Sequence, residues 1–170
     1  MGVHYWDACY KDMRQITYSN KIKWFQFQVL RGCLKVNKVV SKFKPEVSIM
    51  CTFCGVMIES TEHLLFRCNV TNNFIQECMQ FYNSLGNFMT LANISEYDFL
   101  FILRKRLRNN RSLFILLHIK YFIWLARCKG EMPRLQSFRP WFTKELEILS
   151  KCLDKYHNLD FVNNLYDLTK

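Results

Sequence analysis

Three cysteines and a histidine cluster in the middle of the chain: Cys51, Cys54, His63 and Cys68, spaced C-x2-C-x8-H-x4-C. Two cysteines three apart on a tight turn aim both sulfurs at one ion. Gly55, directly after the second, suits a turn that needs positive φ. His63 and Cys68 then approach from the other side. Four N/S donors with no vacancy describe a closed, structural zinc site, and Zn–S bonds of about 2.3 Å would hold the sulfurs roughly 4 Å apart. A redox role for the CxxC would need a βαβ context, which the surrounding pattern lacks.

The spacing constrains the local backbone. His63 and Cys68 are five apart, which in a continuous α-helix is a net rotation of about 140°. The helical turn expected over Thr61 to Phe66 must therefore end or bend before Cys68, and Asn69 suits such an end. Glu62, beside His63, resembles a general acid or base. A closed Cys3His site offers no bound water to activate, so Glu62 reads as a surface or helix-terminal charge. His4, His118 and His157 have no ligand-like neighbours, and Cys128 and Cys152 occupy helix positions compatible with packing. Nothing here pairs a nucleophile with a base, and the chain is expected not to be an enzyme in its own right.

The elements that must position these residues read as mainly helical. Only 5 of 170 residues are Gly and 3 are Pro, while half are hydrophobic. That composition favours a packed helical core over an all-β fold. The pattern predicts helices over Asn20 to Gly32, Leu34 to Phe43, Thr71 to Leu85, Ser95 to Leu107 and Asn110 to Lys129. A further helix should begin at Pro140 and run to about Tyr156, with a short one after Leu159. Phe74, Ile75, Cys78, Met79 and Tyr82 should face inward. The segment Asn110 to Lys129 is apolar nearly all round and should be central. The expected fold class is mainly α, a helical domain with a small zinc-stapled CxxC loop over Ser48 to Ser60.

Charge is uneven. Lys11 to Lys44 holds nine bases and one acid, a net of +8, and Arg104 to Lys144 holds eleven and one, a net of +10. Pro45 to Leu103 between them holds one base and six acids, a net of −5. Two basic segments of this kind favour a polyanionic partner, most often RNA or DNA, contacted through phosphates without regard to sequence. The candidate contacts are Arg104, Lys105, Arg106, Arg108 and Arg111, with Lys35, Lys38 and Lys42 beside the zinc loop. Lys120, Trp124 and Arg127 share a stripe that reads as core packing with snorkelling cations rather than as a stacking platform. No signal peptide or membrane span is apparent. An intracellular, nuclear or cytoplasmic setting without membrane contact or a small-molecule substrate is expected.

Lys23-Trp24-Phe25-Gln26-Phe27-Gln28-Val29-Leu30, Val36-Asn37-Lys38, Cys51-Thr-Phe-Cys54-Gly55, Glu62-His63-Leu64-Leu65-Phe66 and Cys68 together resemble a known pattern. It is that of the zinc-binding domain after the reverse transcriptase in non-LTR, LINE-type retrotransposon polyproteins. The resemblance covers about residues 20 to 82 and continues weakly to Pro133. Ile75 departs from it, where many relatives carry Trp. The resemblance implies ligands at Cys51, Cys54, His63 and Cys68 and an accessory role in engaging template RNA or target DNA. No paired-Asp polymerase motif and no endonuclease acid/His set accompany it, as in a detached C-terminal fragment. The corresponding division is an extension over 1–19, the zinc-binding domain over 20–86 and a C-terminal helical region over 87–170. The rival readings are a protein–protein module using Trp6, Trp141 and Phe142, or a remnant without a selected role.

Overall fold

The computed structural model of the chain describes residues 19–86, 94–101, 110–153 and 160–169. Helix α1 (Asn20–Leu30) buries Ile22, Phe25, Val29 and Leu30 at helical spacing. It stops where Gly32 takes φ +64°, and the amides of Gly32 and Cys33 donate back to Val29 O and Gln28 O. This is the left-handed glycine termination that the sequence indicates. The next helix is shorter than expected. Leu34 and Val36 go into the core two residues apart, a spacing that a helix would place on opposite sides. Only Asn37–Val40 (α2) is helical, followed by turns to Phe43.

After the metal loop come α3 (Asn69–Gly86), α4 (Glu96–Phe101), α5 (Asn110–Lys129), α6 (Leu135–Leu153) and α7 (Asp160–Thr169). No strand occurs among the described residues, only an antiparallel bridge between Met50 and Ile58. The mainly helical class is as expected. Ser95 caps α4, its Oγ accepting from the Asp98 amide at 3.1 Å and donating to the Asp98 carboxylate at 2.6 Å. The expected extension of that helix to Leu107 lies outside the described residues. Helix α6 starts at Leu135, so Pro140 falls inside it rather than at its start. Pro140 is on the exposed face, where its ring and the missing N–H disturb solvent-side backbone only.

One hydrophobic cluster runs from Ile22 on α1 to Leu165 on α7. Its centre is aromatic: Phe74, Phe122 and Phe138 are in mutual ring contact, and Tyr82 lies edge-on to Phe138 and Phe142. All five inward residues expected on α3 are buried, and α5 is buried continuously from Ser112 to Lys120. Two polar side chains on α5 lie wholly inside. His118 gives its Nδ1 proton to Phe114 O at 2.8 Å, and burial lowers its pKa to about 4. The Lys120 ammonium nitrogen donates to Phe99 O and Leu100 O at 2.9 Å each, and Gln26 of α1 also donates to Leu100 O. Burial drives the Lys120 pKa far down. These bonds go to carbonyls in the last described turn of α4. They also tie α1, α4 and α5 together. No described helix is long and apolar enough to cross a membrane.

Candidate metal centre

The CxxC loop folds as a knuckle. The Cys51 amide donates to Met57 O at 2.8 Å, the Gly55 amide to Cys51 O at 2.9 Å, and the Glu59 amide to Ile49 O at 3.0 Å. Reversing the chain this tightly requires the left-handed region directly after Cys54, and Gly55 has φ +68°. Backbone amides then face the sulfurs, those of Phe53 and Cys54 toward Cys51 and those of Val56 and Met57 toward Cys54. Hydrogen bonds of this kind favour a charged thiolate. Burial still dominates at Cys51, pushing its thiol up to about 12. Burial also opposes ionisation of Cys54, but the Val56 and Met57 amides and the His63 imidazole outweigh it and bring that thiol down to about 6.

The other two residues come from a π-turn, His63–Arg67. The Cys68 amide donates to His63 O at 2.7 Å, an i→i+5 bond. The widened turn removes the offset that an α-helix would impose on residues five apart. Cys68 then leaves the turn in extended conformation, so the helical segment ends at Cys68 itself. Asn69 opens α3 and does not terminate the preceding turn. Ser60 caps the entrance, accepting from the His63 amide on its Oγ. Thr71 Oγ1 donates to Leu64 O at 2.9 Å, replacing the partner that the departing chain fails to supply. Leu64 and Leu65 inside the turn are wholly buried and root it in the core.

The consequence is convergence. One ligand atom from each of Cys51, Cys54, His63 and Cys68 lies within 4.8 Å of every other. Cys51 Sγ is 3.9 Å from Cys68 Sγ, and Cys54 Sγ is 3.3 Å from His63 Nε2. A tetrahedral zinc with bonds of about 2.3 Å to sulfur and about 2.0 Å to nitrogen gives S···S of about 3.8 Å and S···N of about 3.5 Å. The donor set and the spacing therefore fit that ion.

Beneath the knuckle is a carboxylate that the sequence reading missed. Glu59 is fully buried and accepts from the Asn37 amide (2.9 Å), the Thr52 amide (2.8 Å), Thr52 Oγ1 (2.6 Å) and Arg127 Nε (3.1 Å). Arg127 also donates to Asn37 Oδ1 at 2.6 Å and lies over the Trp124 ring. This clamp joins the knuckle and α2 to the far end of α5. An acid eight residues past Cys51 is a weak signal alone, because its partner is 68 residues away.

The stripe on α5 is thus built differently from the expectation. Lys120 does not snorkel, since its whole side chain is buried, and Arg127 is a clamp residue. Phe142 is also buried, and Trp141 packs on His118, Phe122 and Phe138, so neither forms the aromatic surface of the protein–protein reading. Trp6 lies outside the described residues. Of the candidate phosphate contacts, Lys35, Lys38 and Lys42 are exposed around α2, against the knuckle, where the Lys38 amide donates to Glu59 O. Arg111 is half-buried in the first turn of α5. Arg104, Lys105, Arg106 and Arg108 lie outside the described residues.

A knuckle and a π-turn presenting a Cys3His set define a zinc-binding module. Residues 4–74, which contain all four ligand residues, match the family model described as zinc-binding in reverse transcriptase. The match supports a reverse-transcriptase-associated zinc-binding domain over that part of the chain. No match was found among curated proteins, and none among solved structures.

Proposed function

We propose that Cys51, Cys54, His63 and Cys68 hold one structural zinc ion, and that the chain is a nucleic-acid-binding accessory module with no catalysis of its own. The observation that carries the first part is the convergence of four protein donors, which fills a tetrahedral shell. The ion would supply a cross-link between knuckle and π-turn, and no position for a reacting water. Glu62 has no activated group to serve. The nucleic-acid part is supported by charge next to that scaffold. Arg31 to Lys44 carries five bases and no acid, and Lys35, Lys38, Lys42 and Lys44 are all exposed. Contacts there would go to phosphate and be indifferent to sequence. The setting consistent with both parts is a nuclear or cytoplasmic one, within a retrotransposon-derived protein.

The test is a titration of the zinc-loaded chain with single-stranded RNA, single-stranded DNA and duplex at several salt concentrations. Binding should weaken steeply with salt. A second reading, a protein–protein module, draws on exposed apolar side chains: Val56 and Met57 on the knuckle are 73 % and 58 % exposed, and Phe43 in the turns after α2 is 81 % exposed. Binding that ignores salt would favour it, as would the lack of any oligonucleotide binding.

A further inference from the structure

A groove of about 650 Å3 runs along the outward face of α6 and ends against Thr169 of α7. The register of α6 accounts for it. Phe138, Phe142, Leu146 and Leu149 bury one face, which turns Gln136, Arg139, Pro140, Thr143 and Lys144 to the other. All five line the groove, and the helix register sets Arg139 and Lys144 on opposite flanks of Pro140 and Thr143. From Pro133 to Lys144 there are three bases and no acid. The acid at the groove's end, Glu147, has its charge met by Lys151 at 2.6 Å.

The polar groups are prepared for a ligand. The Arg139 guanidinium lies over the Phe81 ring of α3, 4.4 Å from its centroid. Stacking holds the guanidinium plane and leaves its N–H edge to donate. Pro140 has no N–H to give to Gln136 O, so that carbonyl lacks its i+4 donor. Arg139 and Lys144 are separated by about 7.5 Å along the helix axis. That matches about two steps of a nucleic-acid strand at about 3.4 Å each. The cations are strung along a groove and do not converge on a point, which fits a chain of phosphates better than a single anion.

We infer that this groove seats the phosphodiester backbone of a nucleic-acid strand, with Arg139 and Lys144 on phosphates about two steps apart and Thr143 and Gln136 on phosphate or sugar oxygens. The inference rests on the nucleic-acid reading above and places a footprint at the C-terminal end of the second basic segment, away from the individual contact residues the sequence singles out. The probes are labelled oligo-dT and oligo-rU, titrated against the full zinc-loaded chain between low and high salt. Arg139→Gln/Lys144→Gln should lower the salt slope by about 1.4, which is about a tenfold loss of affinity at 0.15 M salt. Lys21→Gln, an exposed charge on α1, should change it far less. Because Arg139 also packs on Phe81, Lys144→Gln alone is the second variant, expected to lower the slope by about 0.7. A larger loss for oligo-rU than for oligo-dT would assign a 2′-hydroxyl contact. Equal losses would assign phosphate alone, and either supports the groove. Salt-dependent wild-type binding with unchanged slopes in both variants would overturn the groove and leave the proposed function standing. Wild-type chain that binds neither probe at any salt would overturn both.

Discussion

Replacing Arg127 with Met should destabilise the chain far more than a surface substitution would. The Glu59 side chain has no exposure and that of Arg127 has 16 %. Met retains the aliphatic stem against Trp124 but removes the guanidinium, leaving a buried carboxylate without its counter-charge. Breaking a buried pair from one side costs about 3–5 kcal/mol. Glu59 keeps three donors, from the Asn37 amide and the Thr52 amide and hydroxyl, so the lower end applies, about 3 kcal/mol. For a chain of this size that is a fall in Tm of roughly 6–12 °C. The assay is urea and thermal unfolding of zinc-loaded protein followed by circular dichroism. Glu59→Gln/Arg127→Met should recover part of the loss, because the charge left behind is then gone, giving a coupling of about 1–3 kcal/mol in the double-mutant cycle. A single variant within about 0.5 kcal/mol of wild type, or a cycle with no coupling, would refute the clamp.

Purified chain should carry one zinc per molecule by elemental analysis, and Cys68→Ser should lose it; full occupancy in a variant lacking Cys51, Cys54 and Cys68 together would sink the assignment. Gly55→Ala meets no atom within 4 Å, so its cost is backbone strain at φ +68°, about 1–2 kcal/mol, read as a weakening of zinc affinity of about tenfold. His118 carries a pH dependence: its folded pKa of about 4 lies below the ordinary 6.5, so the unfolded chain takes up the proton first. Its contribution is intact above about pH 6.5 and lost as pH falls toward 4, up to about 3 kcal/mol. His118→Phe should remove that part of the slope in urea unfolding between pH 7 and 4.5, and an identical slope in both proteins would contradict it.

Much of the centre was legible because its ligands are close in sequence. C-x2-C-Gly is a local turn problem, and Gly55 takes the positive φ that the turn demands. The five-residue gap from His63 to Cys68 already ruled out a continuous α-helix. That the chain answers with a π-turn depended on Leu64 and Leu65 being drawn into the core and on Thr71 reaching back to Leu64 O. Helices α1 and α3 announced themselves by periodicity, and α5 by its long apolar run. The short α2 and the early start of α6 did not. Leu34 and Val36 obey core packing over helix propensity, and Pro140 is tolerated because it faces solvent.

The residues of this chain by themselves determined which four side chains share a site and which segments are helical, since both follow from spacing along a few turns of backbone. Only the tertiary structure decided what the buried charges do. Glu59 finds Arg127 across 68 positions, and Lys120 finds the end of α4 across 20 and 21. A charge is removed from water only where distant elements bring it a partner, and local spacing carries no record of that partner.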